Sequence, residues 1–250
     1  VAMKKTILVI VLLLSVLAAP FQVPAQDKIS VGVAANFISA FKEIAAAFEE
    51  QTGVKVEATF SSTGNLYSQI KNGAPYDVFL AADEKRPDLL HQEGLADGTF
   101  IYARGQAILW SADPNFCKAP TWREALKNDR IKKISIANPV TAPYGAAAKS
   151  ALQKAGLWDA LQSKLVNGQD IAQAFQYANT GAVDAGFCAL SAAASREGKN
   201  GCYFSITEAP DIVQAGCVLK KTKNPKSAEL FMAYLLGADA VKTKKKYGYR

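Results

Sequence analysis

The stretch KISVGVAANFISAF (Lys28–Phe41) changes hydrophobic period part-way along, and the change decides how the chain is read. Ile29, Val31 and Val33 alternate, which is the period of a strand with one buried face. From Phe37 onward the apolar positions are Phe37, Phe41, Ile44, Ala45 and Phe48, the spacing of a helix, with Lys42, Glu43, Glu49 and Glu50 opposite them. Gln51-Thr52-Gly53 closes that helix with a glycine suited to the left-handed position. VKVEATF (54–60) alternates again, LYSQIKNGA (66–74) is a short helix ending at Asn72-Gly73, and YDVFLAA (76–82) is a buried strand. Strand, helix, strand, helix, strand predicts right-handed crossovers and a mostly parallel sheet.

The same alternation recurs further on. AILWSA (107–112) reads as a strand, TWREALKN (121–128) as a helix and KISIANP (133–139) as a strand. YGAAAKSALQKAG (144–156) and IAQAFQYANTG (171–181) read as helices, and DAGFCAL (184–190) as a strand. Near the end come a strand, IVQAGCVLK (212–220), and a helix, PKSAELFMAYLLG (225–237), with Asn224 at its N-cap and Pro225 in its first turn. No linker rich in Gly, Pro or Ser separates the two halves. Two α/β lobes that pass the chain between them on strands, with a ligand cleft between, satisfy this pattern.

The ends and the composition narrow the class. Met3-Lys4-Lys5, the apolar run Thr6–Ala19 and the small residues before Ala25 form a secretory signal pattern, so export to the periplasm with cleavage after about Ala25 is expected. The formal net charge is +7, partly gathered in the tail VKTKKKYGYR. In an exported chain that tail reads as a solvated helix end, and no nucleic-acid partner is expected. Cys117, Cys188, Cys202 and Cys217 contain no C-x-x-C pair and His91 is the single histidine, which argues against structural zinc. In an oxidising compartment the spacing allows a Cys202–Cys217 bridge, with Cys117 as competing partner.

Four strand-to-helix junctions carry the chemistry: AANF around Asn36, FSSTGNLY (60–67), NPVTAPYG (138–145) and NGQDIAQAF (167–175). A helix start has unpaired N–H groups and the positive end of the dipole, so it attracts anions without lysine or arginine. Asn36, Ser61, Ser62, Thr63 and Tyr144 supply neutral donors there, and Gly64 and Gly145 would admit a ligand close to the main chain. A donor-only site suits a fully ionised tetrahedral oxyanion. Phosphate, which keeps a proton, would want an acceptor such as Asp170, whose place before Ile171 fits an ordinary helix cap better. No G-x-S-x-G elbow, P-loop or G-x-G-x-x-G is present.

AANF, SSTGNLYSQIKNGAPYDVFLAADEKRPDLL, NPVTAPYG, GFCAL and the ending YGY together resemble the periplasmic molybdate-binding proteins of ABC importers, the ModA family. The likeness runs in order through the chain after residue 25. It implies a type II periplasmic-binding-protein fold: two α/β lobes joined by hinge strands, closing on molybdate or tungstate. The implied lobes are 26–103 and 213–250 for the first and 104–212 for the second. The implied ligand residues are Asn36, Ser62, Thr63, Tyr144 and the backbone N–H of Ile171. No cofactor, no direct protein–metal ligand and no enzyme activity are implied. The expected partners are a membrane permease and its cytoplasmic ATPase, with the binding protein itself a monomer. The best-known branch has serine at position 36, alanine at 144 and tyrosine at 189, whereas this chain has Asn36, Tyr144 and Ala189. Sulfate or phosphate as the ligand, and an enzyme on the same fold using Cys188, stay open as alternatives, as does a sensor or chaperone-like partner protein without a small ligand.

Overall fold

The computed structural model describes residues 27–250; the signal pattern at residues 1–25 lies outside the described residues. The first sheet's elements are β1 (Lys28–Ala34), α1 (Ile38–Thr52), β2 (Lys55–Ser61), α2 (Thr63–Lys71), β3 (Val78–Leu80), α3 (Lys85–Gln92) and β4 (Ala96–Gly105). The second sheet's elements are β5 (Ala107–Ser111), α4 (Trp122–Lys127), β6 (Ile134–Ala137), α5 (Pro143–Lys154), β7 (Leu165–Gly168), α6 (Ile171–Asn179), β8 (Ala185–Ala189) and β9 (Cys202–Ser205). The chain then returns to the first sheet through β10 (Ile212–Leu219), α7 (Pro225–Leu236) and α8 (Ala238–Lys246).

The strand orders are β2-β1-β3-β10-β4 and β7-β6-β8-β5-β9. In the first sheet β1 runs parallel to β2 and β3, while β10 is antiparallel to β3 and β4. In the second, β6 is parallel to β7 and β8, while β5 is antiparallel to β8 and β9. Each sheet is therefore mostly parallel, as expected, with one strand reversed: β10 in the first and β5 in the second. The cause is the double passage: β4 leads through Gln106 directly into β5, and β10 comes back against the direction of its neighbours.

Local structure follows the sequence periods closely. Phe37, Phe41, Ile44 and Phe48 are buried in one core with Phe231 of α7, with ring centroids 5.8 Å apart for Phe41–Phe231 and 5.1 Å for Phe48–Phe231. Gly53 has φ 74° and its N–H meets Glu49 O at 2.9 Å, the left-handed closure expected of it. Helix α2 begins at Thr63, earlier than its apolar pattern, because Ser62 caps it. Asn224 holds the N-cap of α7 without a side-chain bond.

The basic tail departs from expectation. Lys244 of α8 is buried, and its Nζ donates to Tyr102 O at 2.7 Å and Leu235 O at 3.0 Å. It ties the last helix to β4 near the passage between sheets. Burial lowers its pKa to about 8. An unfolded chain releases the same proton near about 10.4, so between these values the unfolded state holds more protons and stability rises with pH. Urea unfolding of wild type and Lys244→Met should show the wild-type advantage growing from pH 8 to pH 10; a shrinking advantage would mean that the two carbonyls hold the ammonium form.

Cys202 bonds Cys117 and not Cys217, a correction with a topological cause. Cys202 lies on β9 of the second sheet, whereas Cys217 is buried on β10 of the first, and residues 206–211 carry the chain from one sheet to the other. Bridging residues 85 apart restrains the unfolded chain by about 4.5 kcal/mol in the chain-entropy account. Cys117→Ser/Cys202→Ser should lose most of that in a denaturant titration, with Cys188→Ser as a control that leaves the bridge intact.

Candidate functional site

The junctions converge. Asn36, from the 3-10 turn Ala35–Phe37 after β1, lines one cavity with Ser62, Thr63, Tyr144 and Ile171. Ala34, Ala35, Ala82, Ala142, Pro143 and Asp170 complete the wall. The cavity has a volume of about 10 Å³, the scale of a single water, so the lobes stand nearly closed on it and a larger guest requires the wall to move apart. Asn36, Ser62, Thr63, Tyr144 and Ile171 are all more than nine-tenths buried. No lysine or arginine lines the wall. Ser61 ends β2 and is not part of it.

Three hydroxyls share one hydrogen-bonding logic. Ser62 Oγ accepts from Asn65 N at 3.3 Å, Thr63 Oγ1 accepts from Ala82 N at 3.0 Å, and Tyr144 Oη accepts from Gln214 Nε2 at 3.3 Å. Each oxygen is thus engaged by a protein N–H, and none of the three protons is donated to another described residue. A hydroxyl held this way offers its proton outward. Burial holds the Tyr144 phenol well above its ordinary pKa, so that proton stays on near neutral pH. Asp170 caps α6, its Oδ1 accepting from Gln173 N at 3.0 Å, which is the ordinary cap role.

Asn36 is different. Its Nδ2 donates to Gln214 Oε1 at 2.8 Å and to Tyr249 Oη at 3.0 Å. Both amide protons are therefore spent away from the cavity, contrary to the donor role expected of the side chain. Asn36 Oδ1 has no partner, the only such buried side-chain N or O among the described residues. Behind Asn36, Tyr249 Oη and Ser191 Oγ donate to its backbone O at 2.6 and 2.8 Å. Sequence reasoning missed Gln214, Tyr249 and Tyr102. The available signal was a glutamine at a buried place in the apolar strand IVQAGCVL, where an amide needs partners.

The two glycines serve chain contact, not ligand access. A Cβ on Gly64 would lie 2.9 Å from Thr141 Cα of the other lobe, and one on Gly145 would lie 2.1 Å from Ala137 O. Gly64 N donates to Thr141 O at 2.8 Å, and Arg86 Nη2 donates to Val140 O at 3.2 Å, so α2 and α3 meet the approach to α5 directly.

The family model described as bacterial extracellular solute-binding protein matches residues 29–250. The chain belongs to this family. It is 44% identical over 228 residues to the molybdate-binding protein ModA of Azotobacter vinelandii, covering 89% of each chain. ModA of Rhodobacter capsulatus is 38% identical over 227 residues, covering 90% of this chain and 89% of that one. Among solved structures, the periplasmic molybdate-binding protein of Azotobacter vinelandii superposes with a TM-score of 0.84 at 36% identity, covering 89% of this chain and 98% of that one.

The Gly64–Thr141 contact gives this closure a direct test. Gly64→Ala adds a methyl that backbone atoms of the facing lobe leave no room for, so the lobes should stand further apart. Small-angle scattering should report a larger radius of gyration, with thermal unfolding little changed. An unaltered radius would mean that the contact yields locally.

Proposed function

We propose that this chain captures molybdate or tungstate between its lobes and delivers it to an ABC importer, a membrane permease with a cytoplasmic ATPase. The observation that carries the reading is the pair of Ser62 and Thr63 hydroxyls, each with its oxygen engaged by a protein N–H and its proton free, around a cavity without a basic side chain. The starts of α2, α5 and α6 add backbone N–H groups and helix dipoles directed at the same space. The Ile171 N–H belongs to this set. Such a site stabilises a dianion by fixed dipoles and neutral donors, and a cation on the wall would only make release harder. The names of the Azotobacter and Rhodobacter relatives specify molybdate among the oxyanions that fit. Tungstate has the same charge and shape.

An enzyme built on Cys188 finds no support. The thiol is buried on β8, donates to Gly186 O at 3.3 Å, lies outside the cavity and has its pKa raised far by burial. A buried, protonated thiol is no nucleophile.

A thermal-shift panel of molybdate, tungstate, sulfate and phosphate on the purified protein tests the assignment. Each true ligand at a hundred times its dissociation constant should add about 2.7 kcal/mol. Stabilisation by sulfate or phosphate alone would overturn the choice of ligand. Thr63→Ala should weaken molybdate binding by about 1.5–3 kcal/mol, the worth of a hydrogen bond to a charged group, while Thr63→Ser should retain most of it. Calorimetric titration measures both, and equal affinity in all three proteins would move the site elsewhere.

A further inference from the structure

Asn36 presents the cavity with an atom that a fully ionised oxyanion repels. Its two amide protons point to Gln214 Oε1 and Tyr249 Oη, which leaves the carbonyl Oδ1 without a partner. An unpaired buried acceptor is costly, and an anion beside it adds repulsion. The side chain cannot turn over alone, because Oδ1 would then face Gln214 Oε1 across 2.8 Å, acceptor against acceptor.

We propose that Gln214 is a specificity-determining residue of the site, because it sets which end of the Asn36 amide faces the anion; this rests on the oxyanion-binding reading above. Gln214 is fully buried and reaches three groups: Asn36, the Tyr102 hydroxyl at 3.0 Å and the Tyr144 hydroxyl at 3.3 Å. When both amides turn over together, every group in the cluster except Asn36 Nδ2 is satisfied within the protein. Gln214 Nε2 then donates to Asn36 Oδ1 and to Tyr102 Oη. Gln214 Oε1 accepts the proton that Tyr144 otherwise holds free. Tyr102 keeps Ala81 O as its acceptor, at 3.0 Å. The Tyr249 proton turns to Asn36 Oδ1, and the Asn36 backbone O keeps its bond from Ser191. Asn36 Nδ2 comes to the place of the orphaned Oδ1 and donates into the cavity. An amide's two ends are of nearly equal size, so the exchange leaves the packing unchanged.

The two arrangements suit different anions. As found, the cavity offers the protons of Ser62, Thr63 and Tyr144 beside one acceptor, the set for an oxyanion that carries a proton. Turned over, it offers Ser62, Thr63 and the Asn36 amide with no side-chain acceptor but the Asp170 cap, the set for molybdate. Gln214 decides between them, through contacts that never touch the ligand.

The test uses two anions of equal charge. At about pH 8 molybdate is a dianion without a proton and phosphate is a dianion that keeps one, so any effect of added charge is common to both and cancels in the ratio of affinities. Gln214→Glu places a group that only accepts opposite Asn36 and holds the amide as found. The molybdate-to-phosphate affinity ratio should then fall by about tenfold or more, the worth of one hydrogen bond to an anion. A ratio equal to that of wild type, with both affinities reduced alike, would overturn the proposal and leave only a structural role. If the variant does not fold, the wild type answers by nitrogen-15 NMR. Molybdate should shift the Asn36 and Gln214 side-chain amide signals in step, and a shift of neither would equally overturn it. Failure of wild type to bind molybdate at all would instead sink the ligand assignment, so the two failures are distinguishable.

Discussion

A glutamine with no exposure at all must find its partners inside the protein, and Gln214 finds them in three separate parts of the chain. Asn36 follows β1, Tyr102 lies on β4 and Tyr144 opens α5 of the other lobe. The bonds form because β10 enters between β3 and β4, which brings residue 214 to the meeting point of the sheets. The tail closes the same region. Arg104 and Arg250 exchange backbone bonds at 2.7 and 3.0 Å, setting Tyr249 against Asn36, and Lys244 ties α8 to Tyr102 O. A binding cavity made of neutral groups depends on orientation more than on charge, and this polar cluster supplies the orientation.

The excess positive charge contributes little to that cavity. The lysines and arginines that form ion pairs do so mostly on the surface, as Lys246 does with Glu43 and Arg123 with Glu208. Exposed pairs of this kind are worth about 0–1 kcal/mol and are screened by salt. Buried hydroxyls and helix starts are not screened in the same way, because water is excluded from them. The dipoles and donors of the interior therefore act independently of the net charge of the chain, and the basic composition is a poor guide to the proposed ligand.

What could be read in the residues was local. The period change at Phe37, the Asn224-Pro225 helix start and the left-handed Gly53 each follow from a few neighbouring positions, and each stands where its pattern puts it. The convergence of Asn36, Ser62, Thr63, Tyr144 and Ile171 was reached through family resemblance, since no single junction reveals its distance from another. The misses were all long-range. The disulfide partner of Cys202 depends on which sheet holds Cys217. The burial of Lys244 depends on how α8 crosses β4, and a lysine among lysines gives no hint of it. Gly64 and Gly145 looked like openings for a ligand, because a missing side chain does not say which neighbour fills the space.

The strand orders explain why four junctions suffice. In each sheet the first parallel strand of the unit is flanked by the second and third: β1 between β2 and β3, and β6 between β7 and β8. Asn36 follows β1 as Tyr144 follows β6, and Thr63 follows β2 as Ile171 follows β7. The cavity is thus built twice from the same two positions, at the carboxyl ends of adjacent parallel strands, where α/β sheets bind ligands. The first lobe contributes the turn around Asn36 and the start of α2, the second the starts of α5 and α6, and neither lobe alone surrounds that space. A single lobe offers half of the donors on an open face, where water competes for them. Joining the halves excludes that water and brings the two sets of donors together, so the proposed hold on a compact anion and the meeting of the lobes rest on the same contacts.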